Sequence, residues 1–246
     1  MPRFFIEKDR IRNNVAIIAG EEVKHITRVL RLGVGDKVIL FDDAGWEYSA
    51  TIKGGNSREL KGDILKKFLP QRESPLQIVL GQGLPRLSKM DLIVQKGTEL
   101  GVSEIVPFHS SRSIPRLTEG KLAKRVERWQ KIAREATKQC GRNLIPHICP
   151  PVDFAEILTR DLGGSLKLVL WEEGGGVGLK EILDTNQGKK GFFILVGPEG
   201  GFIANEIEKA REAGFHPVSM GSRILRTETA SISILSVIQH RYGDLN

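Results

Sequence analysis

Two short apolar runs, each ending in a glycine-containing loop, limit the fold of this chain more than any other feature. The run Phe192-Phe193-Ile194-Leu195-Val196 stops at Gly197-Pro198-Glu199-Gly200-Gly201. An unbroken apolar run of that length suits a strand buried on both faces of a parallel sheet. A helix is expected next, over 204–213, with Gly214 as its stop. A second strand is expected over 215–220, with Pro217 favouring an edge or an early end. It runs into Gly221-Ser222-Arg223-Ile224-Leu225-Arg226-Thr227 and a last helix from about 228 to 241. The two strand–loop–helix units are expected to lie side by side. In open α/β sheets ligands sit in the crevice at the carboxyl ends of the strands. Val196 to Gly201 and Met220 to Leu225 are therefore the expected pocket walls, since glycine lets backbone come close to a ligand.

Upstream, strands are expected at 76–80, 104–108 and 166–171, alternating with helices at 89–100 and from Thr118 to Gly141. That alternation defines an α/β sheet. Ser88, with Asp91 three residues on, is the expected cap of the first of these helices. Gly81-Gln82-Gly83 after the first strand has the look of a dinucleotide loop. It lacks the third glycine, and Pro85 interrupts before a helix can begin, so that reading is rejected. The glycine run 174–178 after Trp171 reads either as a connector or as a further pocket wall. Residues 1–70 differ in character. A helix is expected over 21–30 and strands at 38–41, 46–52 and 60–68, with hairpin turns at 42–45 and 53–57, which fits a small β-barrel. Pro70 to Pro75 reads as the linker, giving domains at 1–70 and 76–246.

The charge is unevenly spread. Lys and Arg outnumber Asp and Glu by 14 to 10 over residues 1–72 and by 13 to 6 over 86–143, whereas residues 144–246 carry 10 against 13. A basic front and middle suit a polyanionic partner, the alternative being a merely solvated basic face. Along 118–141, Leu122, Val126, Trp129, Ala133 and Ala136 make one apolar side, and Arg128 lies on the basic remainder. Arg28 and Arg31, at the exit of the first helix, are candidate phosphate contacts, with surface ion pairing the alternative. Cys140 and Cys149 are too few for a disulfide framework, and the five histidines show no zinc spacing, so no metal is expected. The charged amino terminus lacks a signal-peptide core, and no apolar run approaches the ~20 residues of a membrane helix. A cytoplasmic protein without a membrane partner is the expectation.

LVGPEGGF followed by RILRTETA resembles the signature of the RsmE family, the 16S ribosomal RNA uracil-N3 methyltransferases of the SPOUT superfamily. HITRVLRLGVGDKVILFD, MDLIVQKGTELGVSEIVPFHSSRS and RWQKIAREATKQCGR extend the resemblance over nearly the whole chain. Lys24 departs from it where a histidine is common, as do Met220 and Ser222 around Gly221. The resemblance implies a PUA-like RNA-binding β-barrel followed by a trefoil-knotted α/β methyltransferase domain. It also implies S-adenosylmethionine as cofactor, 16S ribosomal RNA of the small subunit as substrate, and a homodimer. The cofactor would be held by Leu195, Val196, Gly197, Glu199, Gly200, Gly201, Met220, Gly221, Ile224, Leu225, Thr227 and Ala230. It implies further that Arg112 faces RNA and that Arg142 lies near the active site.

Methyl transfer to uracil N3 needs an aligned acceptor that has lost its proton. A cation beside the developing anion assists, and Arg226 is the first candidate for that role, Arg142 the second. Glu199 or Glu228 is the candidate proton acceptor, with helix capping the competing role for both. Another RNA target for the methyl group, or a non-catalytic RNA-binding protein, is the alternative. A phosphate-loop hydrolase is disfavoured, because GPEGG lacks the Gly-Lys-Ser/Thr ending.

Overall fold

The computed structural model describes residues 1–42, 44–113, 118–173 and 176–245. They divide into one unit of Met1–Glu73 with Thr137–Ile145, and another of Ser74–Ala136 with Pro146–Asn246.

The first unit contains β1 (Arg3–Phe5), β2 (Ile11–Arg12), β3 (Val15–Ala19), α1 (Glu21–Lys24), β4 (Lys37–Phe41), β5 (Glu47–Gly55) and β6 (Glu59–Phe68). They form a six-stranded sheet in the order β1-β4-β5-β6-β3-β2. Only the β1–β4 pair is parallel. Alternate residues supply the core: Ala16 and Ile18, Val38 and Leu40, Tyr48, Ala50 and Ile52. That is the period of a sheet with one covered face. The strands β4 to β6 form where the pattern places them. β1 to β3 were not expected, since each spans five residues or fewer and carries too little alternation to stand out.

The β4–β5 turn is held by a buried carboxylate. Asp42 accepts from the amides of Ala44 and Trp46 through Oδ1, and from the Tyr48 hydroxyl through Oδ2 at 2.8 Å. Burial, reinforced by Asp42, pushes the Tyr48 phenol up to about 12. Asp43, also in that turn, lies outside the described residues. The helix expected over 21–30 is one α turn that widens into a π-helical turn, His25–Val29. The wider turn takes Val29 and Leu30 off the apolar face, leaving them 67% and 40% exposed, while Val23 and Ile26 remain buried.

Residues 137–145 belong to this unit, which the linear domain division at 70–76 does not anticipate. Glu73 holds them: Oε1 accepts from the amides of Asn143 and Leu144, and Oε2 from Arg142 Nε at 2.8 Å. Arg3 donates to the Arg142 carbonyl, and Asn143 to the Gly45 carbonyl.

The second unit contains β7 (Gln77–Gly83), α2 (Leu87–Glu99), β8 (Glu104–His109), most of α3 (Glu119–Cys140), β9 (His147–Ile148), β10 (Val152–Asp153), α4 (Phe154–Leu158), β11 (Leu166–Leu170), β12 (Val177–Gly178), α5 (Leu179–Thr185), β13 (Gly191–Val196), α6 (Ala204–Glu212), β14 (His216–Ser219) and α7 (Thr227–Tyr242). Its sheet is wholly parallel, in the order β10-β8-β7-β13-β11-β14-β12, with β9 also on β8. Phe192 to Val196 on β13 are at most 2% exposed, as a central strand covered on both faces requires.

Two expectations are corrected. β13 and β14 are not neighbours, because β11 lies between them and pairs with both. Ser88 is not at the cap position: α2 begins at Leu87 after Arg86, one residue before it, and Asp91 pairs with Arg128. Helix α6 is capped by its own third residue. Glu206 accepts the amide of Ile203 through Oε2, and through Oε1 that of Ser111.

Glu73→Ala removes the acceptor for two amides and a guanidinium at once. Losing a partly buried acceptor of this kind is expected to destabilise by about 1–3 kcal/mol, read as a lower urea midpoint at unchanged slope.

Candidate active site

Although β11 separates their strands, the loops after β13 and β14 open into one cleft of about 130 Å³. Val196, Gly197, Glu199 and Gly201 line it from the first loop; Ile224, Leu225, Arg226, Thr227 and Ala230 line it from the second loop and the start of α7. A smaller hollow of about 50 Å³ shares Glu172, Leu225 and Ala230 with it and adds Trp171, Met220 and Gly221. Ten of the twelve positions expected to hold a cofactor thus line these two spaces. Leu195 lines neither, since it is fully buried in the core beside Phe193 and Ile207. Gly200 lines neither; it backs onto Arg112, whose Cβ would stand 2.9 Å from a side chain placed there. Gly174 and Gly175, in the glycine run after Trp171, lie outside the described residues, while Glu172 at its start is a wall of both spaces.

The loops are tied from beneath by Gln82, which is fully buried. Its amide nitrogen donates to Thr227 Oγ1 at 2.9 Å and to the Gly83 carbonyl at 3.0 Å. Its amide oxygen accepts from Ser231 Oγ at 2.6 Å. Thr227 Oγ1 in turn donates to the Gly197 carbonyl at 2.6 Å. The end of β7, the first loop and the start of α7 are joined in one network of direct hydrogen bonds. The glycines beside Gln82 are required by proximity. A Cβ on Gly83 would lie 2.6 Å from the Pro198 ring, and one on Gly81 2.4 Å from Leu195. Gly81-Gln82-Gly83 is therefore no phosphate cradle but the floor on which the other loop rests. Sequence reasoning missed this role, and a buried polar residue between two glycines was the available signal.

Charge is distributed unequally around the cleft. Lys89, from α2, stands 3.5 Å from Glu199 Oε1 and 3.2 Å from Glu228 Oε2. Burial alone would raise the Glu199 carboxyl. The amides of Arg86 and of Glu199 itself, together with Lys89, outweigh it and hold the group below its usual range. Its anchoring of the loop therefore persists at neutral pH and is lost only as pH falls through that lowered value. Glu228 Oε2 is buried and accepts no hydrogen bond among the described residues. Arg226 caps α7 with its backbone, and its exposed side chain lines the cleft without an ion pair among the described residues. Arg112 lies beside the cleft loop, donating to the Gly200 carbonyl at 2.8 Å and standing 3.4 Å from Glu173.

The other candidates are not among the lining residues of the cleft. Arg142 is in the first unit, 9% exposed and paired with Glu73, and is not a lining residue of the cleft. Arg28 and Arg31 are exposed on the first unit, Arg31 in a left-handed backbone conformation at φ 55°. Arg128 is exposed, but Nη2 is engaged with Asp91 at 2.7 Å. Cys140 and Cys149 are free thiols. Burial, then Glu104, pushes Cys149 up to about 11, so the free thiol is protonated at neutral pH.

The parallel sheet with two tied loops at its carboxyl edge, accompanied by a small β unit, is the architecture of an RNA methyltransferase, as the matching family models show. Residues 72–239 match the family model of the RNA methyltransferase domain, and residues 18–65 that of the RNA methyltransferase PUA domain. The chain belongs to the ribosomal RNA small subunit methyltransferase E family. It is 34% identical to that protein from Bacillus subtilis over 98% of this chain and 97% of the relative. The crystal structure of the Neisseria gonorrhoeae protein bound to S-adenosyl methionine superposes with a TM-score of 0.91 at 33% identity, covering 100% of both chains. A putative methyltransferase from Legionella pneumophila, also solved with bound S-adenosylmethionine, gives 0.91 at 32% identity over 99% of this chain and 98% of that one.

Gln82→Leu preserves volume but leaves Thr227 and Ser231 short of partners. A loss of about 1–3 kcal/mol is expected, measured by chemical unfolding. Ligand affinity at the cleft should fall with it, because both loops lose their common tie.

Proposed function

We propose that this chain transfers a methyl group from S-adenosylmethionine to N3 of a uridine in the 16S RNA of the small ribosomal subunit, in the cytoplasm. The observation that carries the reading is the single cleft walled by both glycine loops, lined also by an exposed arginine that has no ion pair among the described residues. Its residues fit the cofactor. Leu170, Val196 and Leu225 offer apolar wall, the glycine backbone offers amides and carbonyls, and Glu172 and Glu199 favour a ligand with cationic groups. The ties from Thr227 to Gly197 and from Gln82 to Thr227 support the trefoil-knotted path that the resemblance implies.

Bound S-adenosylmethionine supplies an electrophilic methyl group on a sulfonium sulfur. The protein has to present uracil N3 to it in line and relieve N3 of its proton. A paired base hides that proton, so the nucleotide enters unpaired or flipped out. Arg226 stabilises the anionic uracil as charge develops, and being always protonated it cannot serve as the base. Glu199 is held by an amide and by Lys89 below its usual range, which makes it a weak acceptor. Lys89 stands beside Glu228 as well, but no backbone amide holds the Glu228 Oε2 among the described residues, and it is Glu228 that takes the proton. Arg28 and Arg31 on the first unit, and Arg112 and Arg128 on the second, contact the RNA backbone.

Arg226→Ala is expected to bind S-adenosylmethionine normally by calorimetry yet lose about 10²–10³ in turnover on small-subunit RNA; full turnover would remove Arg226 from the reaction. Glu228→Gln should lose at least about 10² at neutral pH and recover as rising pH ionises the uracil itself. A flat pH response would assign the proton to another acceptor.

The working form we infer is a homodimer. In its support, an apolar groove of about 450 Å³ lies between α5 and α7, lined by Leu179, Leu183, Met220 and Val237. Analytical ultracentrifugation should give the mass of two chains, and Val237→Glu should shift it to one.

A further inference from the structure

The register of one edge of the second sheet gathers three metal-ligating side chains far apart in sequence. Glu104 opens β8 and pairs directly with His147 on β9. Directly paired residues of parallel strands project to the same face, as does a residue two positions along. Cys149 is two positions beyond His147, and its amide continues the ladder to the Ile105 carbonyl. The carboxylate, imidazole and thiol ligand atoms consequently lie within 4.8 Å of one another. Glu104 Oε1 is 2.8 Å from Cys149 Sγ, and His147 Nδ1 is 3.9 Å from it. In a tetrahedral site with bonds of about 2.0–2.3 Å, neighbouring ligand atoms stand about 3.3–3.8 Å apart. Side-chain adjustments of about an ångström or less reach that spacing.

The place already attracts a cation. Arg160 puts Nη2 2.6 Å from Glu104 Oε1 and Nη1 3.6 Å from Cys149 Sγ. Its side chain is 32% exposed and follows the short helix α4, so it can swing to water on its flexible stem. Burial is graded across the group: Cys149 is buried, Glu104 half-buried and His147 exposed, which leaves solvent access for a fourth ligand. The group is separate from the cleft. Glu104 is level with Val79 on β7, whereas Gln82 is level with Val196, an offset of about 10 Å along the strands.

We propose that Glu104, His147 and Cys149 form a zinc site, with water as the fourth ligand and Arg160 as the cation displaced when the metal enters. Thiolate, imidazole and carboxylate together favour zinc over calcium or magnesium. The zinc–sulfur bond forms as the thiol proton leaves to solvent, and the oxidation state of neither partner changes. The metal would clip the two-residue strand β9 onto β8 and so close the edge of the sheet.

Chelator-treated protein titrated with cobalt(II) alone provides the test. The expected result is a near-ultraviolet thiolate-to-cobalt absorption that saturates at one equivalent and is displaced by zinc(II). Cys149→Ser should abolish the band, whereas Cys140→Ser should retain it. His147→Ala, at an exposed position that folding tolerates, should weaken binding by at least about tenfold. Arg160→Ala should strengthen it by removing the competitor. Absence of the band from the wild-type protein, or its survival in Cys149→Ser, would overturn the proposal. So would unchanged affinity in His147→Ala.

Discussion

A single buried carboxamide holds the catalytic half of this chain in its working arrangement. Burying a polar group without partners costs several kcal/mol, so Gln82 is stable in the interior only while its neighbours are in place. Those neighbours are the Gly83 carbonyl, Thr227 and Ser231. Thr227 passes the connection on to the Gly197 carbonyl. The network therefore has an all-or-none character: a shift of either loop leaves at least one interior donor or acceptor without a partner. Rigidity at a ligand site, usually obtained by packing side chains, here comes from backbone carbonyls and short polar groups. That solution leaves the wall itself free of bulk, which glycine-rich loops need if a ligand is to lie against their backbone.

The same loops carry an electrostatic division of labour. Lys89 is placed between Glu199 and Glu228, so its charge is spent locally. Glu199 is further fixed by the Arg86 amide. Arg226 has no such partner among the described residues, even though its backbone caps the helix that carries Glu228. A paired cation positions structure, while an unpaired one that lines a cleft is available to something that enters. This difference separates two basic residues that composition treats alike.

Much of this was legible in the chain. The central strand declared itself through five consecutive apolar residues, and its loop through three glycines in five. Both are local signals, and local signals fix local structure. What failed were inferences that needed a third segment. Two strands consecutive in sequence were taken as adjacent, but the parallel sheet inserts β11 between them. Leu195 belongs to the right strand but projects into the core, since alternate residues of a doubly covered strand cannot all face one crevice. Gly81-Gln82-Gly83 looked like a failed phosphate loop because its real partner, Pro198, is 115 residues beyond Gly83. Glu73 was read only as part of a linker, because its partners, Arg142, Asn143 and Leu144, lie about 70 residues further on.

That last pairing has a bearing on biogenesis. Glu73 precedes Arg142 by 69 residues, so a chain emerging amino terminus first presents the acceptor long before its donors exist. The six strands can pair in the meantime, because all of them lie before residue 70, but the unit stays unfinished until residue 145 has left the ribosome. Closure of so long a loop adds an entropic cost that rises only slowly with length. The delay is therefore set by the pace of translation more than by diffusion of the chain, and the unit matures only after the early strands of its neighbour have been made.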